Sequence, residues 1–587
     1  MRQIHTASQV GLPEALVSRR LIAQAAVAAS TKKADPAAAD GAVKQARPGP
    51  QPSARPGNSN IQVATAALAA PEAIDLTGLR EAVAAFTKGD MDNGFAHARR
   101  TRHPVARAAA EWAALRLQPR KAGYSRIVAF LDAHQEWPKQ DWLRWRAEQS
   151  LFIDRPAHKY TARYLKNHSP VSAIGQLAKA RHLLDLGRTK EASQTVSAAW
   201  REGNFNTWLE RLLIKEFSKQ LSAEDFAYRA AHLFYRERYS HSLRLAGLGG
   251  KDIYALAAAR VAVARGGAPT KFGAKLSAEM RRDPSWKFAQ ALRLRRSGKI
   301  EAAGQMMVSV KSPASLMRDG KAWWEERRMI ARRLLDSGQP KLAYTVAAGH
   351  GFLQSDRAQP NRKSIADAEF YAGWLALRFT NDASKALAHF TNALSSAKRP
   401  AARARAAYWL GRAIEKSPKP ELADTYYAKA AINSSTYYGQ LALARLKGTT
   451  DVPLRRATNV AQGPSRLLAV RVVEALTQVD ADTLAQQLAF DIARDVKDEA
   501  QIAAAATILK RQKDASSTLI IGKLAAYRGI QLDDVAFPDF GIPKYIALSD
   551  SAEPSMVYAI ARQESAFRAK AKSHAGAKGL MQMLIST

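Results

Sequence analysis

From about Ile74 to Arg528, apolar residues recur at spacings of three and four with very few alternating runs, which is the signature of amphipathic helices rather than strands. The pattern predicts an all-α chain. Several segments share one form: an amphipathic helix, a turn at Gly or Asn, then a second helix with small residues on its inner face. Leu183-Leu184-Asp185-Leu186-Gly187-Arg188, Leu294-Arg295-Arg296-Ser297-Gly298-Lys299, Leu334-Leu335-Asp336-Ser337-Gly338-Gln339 and Phe379-Thr380-Asn381-Asp382-Ala383 are such turns. Gly or Asn there supplies the positive φ that a helix C-cap needs. Gly338 follows Gly298 by 40 residues, Asn381 follows Gly338 by 43, and Trp374 and Trp409 stand 35 apart. This irregular period is close to that of helical-hairpin repeats, so residues 74–528 are predicted to form a superhelical, TPR-like solenoid of antiparallel helix pairs. Ala302, Ala303, Ala343, Ala383 and Ala386 are read as contacts that let neighbouring helices approach closely, and the aromatic residues as core.

The flanks differ. From Thr31 to about Ala70 the chain turns to Ala, Pro, Gly, Ser and Lys, as in Ala46-Arg47-Pro48-Gly49-Pro50-Gln51-Pro52. Few bulky side chains are available there to offset the entropy of ordering, so 1–73 is expected to be a disordered segment and linker. Within it, Arg19-Arg20 precede a short apolar run, Leu21 to Ser30, that reads either as an ordinary N-terminus or as a degenerate export signal. After Gly529 the stretch Asp534-Val535-Ala536-Phe537-Pro538-Asp539-Phe540-Gly541-Ile542-Pro543 is punctuated by Pro and Gly. It marks 529–547 as a linker before a separate segment, 548–587.

Composition changes the picture in two ways. The 587 residues carry 89 Lys plus Arg against 52 Asp plus Glu, a net charge of +37, which raises the local concentration of polyanions. Nucleic acid, an acidic membrane surface and peptidoglycan are all candidates, and charge alone does not rank them. No recognised nucleic-acid motif is present, so no nucleic-acid partner is expected. The absence of cysteine excludes disulfides, thiolate catalysis and Cys-type zinc sites. No run of 18 apolar residues suits a membrane-spanning helix.

The candidate chemistry lies near the C-terminus. Asp550 and Glu553 stand three apart before Pro554, which predicts a capped helix start. Met556, Val557, Ile560 and Glu564 then recur at helical spacing, so Glu564 is expected to continue an apolar face near the helix C-terminus. Desolvation and the negative end of the helix dipole both disfavour its ionisation, predicting a raised pKa suited to a general acid. A lone Glu in such a place is usually a surface residue, and Asp550 and Glu553 are the nearest acidic residues in sequence. What reverses that prior is the joint occurrence of Ala561-Arg562-Gln563-Glu564-Ser565-Ala566-Phe567 with Ser573-His574-Ala575-Gly576-Ala577-Lys578-Gly579-Leu580-Met581-Gln582. Together with Phe370-Tyr371-Ala372-Gly373-Trp374, Ala406-Ala407-Tyr408-Trp409-Leu410-Gly411-Arg412-Ala413 and Tyr437-Tyr438-Gly439-Gln440-Leu441-Ala442, these segments resemble the soluble lytic murein transglycosylase family, enzymes that cut the glycan strands of peptidoglycan.

The resemblance implies an α-superhelical region followed by the first part of a lysozyme-like α-helical catalytic domain. It implies a one-carboxylate reaction: Glu564 protonates the oxygen between N-acetylmuramic acid and N-acetylglucosamine, then deprotonates the muramyl C6 hydroxyl, whose attack on C1 closes a 1,6-anhydro ring. Ser565, Ser573 and Gln582 are implied as substrate-binding residues, peptidoglycan as the partner and the periplasm as the location; neither a metal nor a cofactor is expected. The chain ends 23 residues after Glu564, within a helix expected to begin at about Gly579, before further motifs of the family's sugar groove. The polypeptide as written is therefore expected to be inactive or nearly so, with Met581, Leu584 and Ile585 exposed. The competing reading is a catalytically impaired helical scaffold that binds murein or a protein partner.

Overall fold

A computed structural model describes residues 75–310, 318–352, 362–448, 452, 454–546 and 552–586; the expectations for 1–73 and for Asp550 lie outside them. The described residues are all-α, as the periodicity predicts. Helices follow one another from Leu79–Lys88 to Ala515–Arg528, and Pro554–Glu564 comes last. The only β pairing among the described residues is two isolated bridges, Lys572 with Lys578 and Lys578 with Met583. Among the described residues no helix is long and apolar enough to cross a membrane.

The turns read from the sequence have the backbone they require: φ is 73° at Gly187, 78° at Gly298, 75° at Gly338 and 52° at Asn381. At the three glycines the residue that follows donates its N–H back across the turn, Arg188 to Leu183, Lys299 to Leu294 and Gln339 to Leu334, at 2.8–2.9 Å. This is the Schellman closure of a helix end. The sequence reading missed the same turn where no glycine marks it: Glu237, Asp480 and Lys513 also have positive φ. Of the small contacts, Ala303, Ala343 and Ala386 are fully buried. Ala302 is exposed, because it sits one position round the helix from Ala303 and falls outside the inner arc.

A second device recurs at helix C-termini. Arg181 donates to the carbonyl of Phe152, Arg229 to those of Trp200 and Gly203, Arg296 to Ala264, Arg333 to Arg295, and Arg528 to Ala493, Asp495 and Val496. Each acceptor lies at or just past the end of an earlier helix. Arg327, only 2% exposed, serves two ends at once, donating to Met307 (2.8 Å) and Val346 (3.2 Å). A share of the cationic excess is thus spent on carbonyls that their own helices cannot satisfy.

The sequence did not reveal that the array closes on itself. The Pro104–Leu117 helix packs against Leu468–Gln478, and one continuous core joins Leu79, Val105 and Trp112 to Val470, Leu488 and Ile508. Polar contacts tie the same seam: Arg80 pairs with Asp480, Arg116 donates to Gln487 at 2.8 Å, and the Lys139 N–H donates to Asp495 at 2.7 Å. The stretch expected as a linker begins inside this packing. Leu532, Asp533, Val535 and Ala536 are buried, and Asp533 and Arg455 exchange two hydrogen bonds. A four-residue helix, Asp533–Ala536, lies against Gly522, whose missing side chain leaves room for the Ala536 backbone.

Two outcomes test this account. Arg327→Met keeps the side-chain stem but takes the guanidinium donors away from two buried carbonyls, so urea unfolding should shift to lower concentration by an amount corresponding to about 2 kcal/mol. Glu369 is the second case. Burial opposes ionisation of its carboxyl, but hydrogen bonds from His350 and His389 outweigh it and hold the group down at about 2, against an ordinary 4.5. A depressed carboxylate contributes stability above its unfolded pKa and loses it as pH falls through the folded one. Urea midpoints of the wild type should therefore decline between about pH 4.5 and pH 2, and His389→Ala should flatten that decline.

Candidate functional site

Residues 536–546 and 552–582 are held to the array by one small core. Ala515 and Leu519, from the array's last long helix, pack with Ala561 and Phe567, and Phe540, Ile542, Tyr558, Leu580 and Met581 surround them. The approach is close at Gly541 (φ 101°), where an added Cβ would lie 2.3 Å from that of Ala515. Tyr558 donates its hydroxyl to the Asp539 carbonyl at 2.9 Å. Arg562 donates Nε–H to the Ala536 carbonyl at 2.9 Å, with its guanidinium 4.3 Å above the Phe537 ring.

The Pro554–Glu564 helix starts with proline at its first position, as the fixed φ of proline favours. Glu553 is the N-cap residue but gives no side-chain cap. The expected apolar face is not the buried one: Met556 is 55% and Ile560 36% exposed, whereas Ala561 and Ser565 are buried. Small residues are what allow this helix to lie against Ala515, so burial follows size and not apolarity. Glu564, the last helical residue, is half-buried on the arc that Ile560 shares.

The chain leaves Glu564 sharply. The carbonyl of Ala561 accepts from the Ser565 N–H (3.2 Å), the Ser565 hydroxyl (3.1 Å) and the Phe567 N–H (3.3 Å). Ala566 and Phe567 follow with φ of 52° and 60°, left-handed conformations that cost non-glycine residues roughly 1–2 kcal/mol each. Burial of the Phe567 ring near Tyr558 offsets that strain. Sequence reasoning missed this strained pair, which neither Ala nor Phe announces.

The other predicted residues lie on the returning loop. The Ser573 hydroxyl accepts from the Ala577 N–H at 3.1 Å, which leaves its O–H to donate. Gln582 donates both amide hydrogens inward, to the carbonyls of Ala571 (3.1 Å) and Gly579 (2.9 Å), so its amide oxygen is what it can offer a ligand. Ser565 is 1% exposed and turned back on its own helix. The helix expected from Gly579 does not form: Lys578 and Met583 exchange backbone hydrogen bonds at 2.9 and 3.1 Å, and Gly579 and Gln582 have positive φ, which a right-handed helix excludes. Leu584 and Ile585 are exposed, but Met581 is half-buried in the small core. Glu553 stands a full helix length from Glu564, roughly 16 Å at 1.5 Å per residue, too far for the paired carboxylates of ordinary glycosidases. No cluster of His, Asp or Glu among the described residues is arranged to hold a metal ion.

Residues 543–587 match the family model of the transglycosylase SLT domain. This segment belongs to that family. The SLT segment and the array together have the fold of lytic transglycosylase Slt from Pseudomonas aeruginosa, solved as an inactive glutamate-to-glutamine mutant (TM-score 0.58, 20% identity, covering 88% of this chain and 81% of that one). They are also similar to the 70-kDa soluble lytic transglycosylase of Escherichia coli (TM-score 0.50, 16% identity, 88% and 81%), and to a 70-kDa soluble lytic transglycosylase bound to bulgecin A (TM-score 0.50, 18% identity, 87% and 80%). Among curated proteins no significant sequence match is found.

Gly541→Ala tests how the SLT segment is seated. The new methyl group meets Ala515 and the left-handed backbone is strained, so the seat should loosen by about 2 kcal/mol. Hydrogen exchange should accelerate across the Pro554–Glu564 helix while the helices at the ring seam keep their protection.

Proposed function

We propose that this protein is a peptidoglycan lytic transglycosylase, acting in the periplasm on murein glycan strands, with Glu564 as its single catalytic acid and base. The observation that carries the reading is the placing of Glu564: half-buried at the end of a helix in the SLT segment, with the nearest sequence carboxylate, Glu553, a helix length away. In this reading one carboxyl serves both halves of the reaction. Glu564 gives its proton to the glycosidic oxygen as the bond from muramyl C1 to that oxygen breaks. The resulting carboxylate then takes the proton of the muramyl C6 hydroxyl as C6–O bonds to C1. Protons and bonds balance, Glu564 ends protonated as it began, and no water is consumed. The substrate supplies its own nucleophile, so a second carboxylate has no task.

The neighbouring residues take roles suited to their hydrogen bonds. Ser573 donates its O–H and Gln582 accepts through its amide oxygen, a pair that fits the carbonyl and N–H of an acetamido group. Ser565 acts by position, fixing the helix end through Ala561. The basic array guides the anionic strand.

Glu564→Gln should lower release of 1,6-anhydromuropeptides from sacculi by about 10²–10⁴-fold, with circular dichroism unchanged. Each released product should be lighter by one water than the lysozyme product of the same strand. Undiminished release by the variant, or products of hydrolytic mass, would overturn the assignment.

A further inference from the structure

The seam between the array and the Glu564 helix contains two cations, and among the described residues neither is paired with a carboxylate. Three elements converge there on Ala536. The array's last long helix, Ala515–Arg528, comes so close at Gly522 that an added Cβ would lie 2.3 Å from the Ala536 N. The Glu564 helix reaches the same residue through Arg562, whose Nε–H bonds the Ala536 carbonyl at 2.9 Å. Lys523, next to Gly522, is half-buried in this seam. Burial first, and then the charge of Arg562, pull its ammonium down to about 8 from an ordinary 10.5.

Among the described residues several withdrawn arginines are matched by a carboxylate, whereas Arg260 and Arg146 are held by the neutral side chains of Ser285 and Gln149. Arg295 meets Glu326, Arg466 meets Glu474 and Arg181 meets Glu216, all within 2.6 Å, and other arginines cap helix ends. Lys523 does neither. An ammonium partly withdrawn from water near a guanidinium, with no counter-charge, is costly to fold, and such an arrangement suits a group that a ligand completes. The chemistry of the pair narrows the ligand. Arg562 is fixed by Ala536 and by its stacking on Phe537, and its terminal amino groups keep the planar fork that matches a carboxylate, while Lys523 adds a mobile point charge.

We propose that Lys523 and Arg562 form a carboxylate-binding site in the seam behind the Glu564 helix, and that its ligand is a carboxylate of the murein peptide stem. The choice of stem over sugar follows from helix geometry. Arg562 precedes Glu564 by two residues and therefore faces roughly 200° away from it, so a group held there lies off the reacting glycan. This inference rests on the murein reading given above.

The test measures two ligands by calorimetry on the full-length protein carrying Glu564→Gln, so that neither is consumed: a disaccharide tetrapeptide, and uncharged chitotetraose. Lys523→Met in that background should weaken the disaccharide tetrapeptide about tenfold or more, leave chitotetraose within twofold, and raise the thermal midpoint because an uncompensated charge is gone. Unchanged tetrapeptide affinity overturns the proposal, and so does a lowered thermal midpoint, which would assign Lys523 to a carboxylate of the protein itself. If the parent protein binds neither sugar, the murein reading fails separately, and acetate then judges the site alone. Acetate should raise the pKa of the Lys523 ammonium seen by NMR, and no change would dispose of the anion site as well.

Discussion

Every α-helix ends in carbonyls that have no partner within it, and a chain whose described helices have at most 18 residues repeats that deficit every few turns. How those carbonyls are satisfied shapes the rest of this molecule. Part of the answer is local: a left-handed residue closes the turn and returns one or two N–H groups. The rest comes from arginines that reach from a later helix to the end of an earlier one. Such a bond satisfies a carbonyl, sets a positive charge against the negative end of a helix dipole, and fastens one hairpin to another. Lysine reaches as far but lacks the fork that serves two acceptors at once, as Arg327 does for Met307 and Val346. The charge of +37 is therefore partly architectural, and only the remainder is available to attract a polyanion.

Closure of the array gives its last helices a second role. The Ala515–Arg528 helix places Ile521 and Ala525 in the core that joins the two ends of the array, and Ala515 and Leu519 in the small core under the Glu564 helix. One helix thus belongs to the ring and to the site. An open solenoid would leave its terminal helices free to fray, whereas here the surface that seats the SLT segment is braced from its far side by Asp482–Asp495 and Glu499–Arg511 and, through them and Leu468–Gln478, by Pro104–Leu117.

The helices were legible because their information is local: a period of 3.6 and a glycine at positive φ show within a dozen residues. The closing of the array was not, since Val105 and Val470 carry no mark of each other and their pairing depends on a superhelical path summed over many hairpins. Turns at Glu237, Asp480 and Lys513 escaped notice because tertiary packing holds these residues left-handed without any help from sequence. In the site, the position of Glu564 was legible from its motif, but the face of its helix was misread. Met556 and Ile560 form an apolar row, yet the buried arc consists of Ala561 and Ser565, chosen for size by the nearness of Ala515. Lys523 and Arg562 gave no signal at all, since 39 residues separate them and only the fold makes them neighbours.

The way the helix stops explains why the acid stands where it does. Had the helix run on past Glu564, the carboxyl would lie part-way along a straight rod, with its neighbours a turn above and below and nothing opposite. Instead the Ala561 carbonyl gathers two N–H groups and a hydroxyl, and two left-handed residues throw the chain back across the helix end. That reversal lets Leu580 and Met581 reach the same core as Ala561, which sets the turn carrying Gln582 beside the end of the helix. The strain at Ala566 and Phe567 is thus the cost of setting the returning loop as a wall beside the Glu564 end of the helix, and under the proposed one-carboxylate chemistry that wall matters more than any second acid.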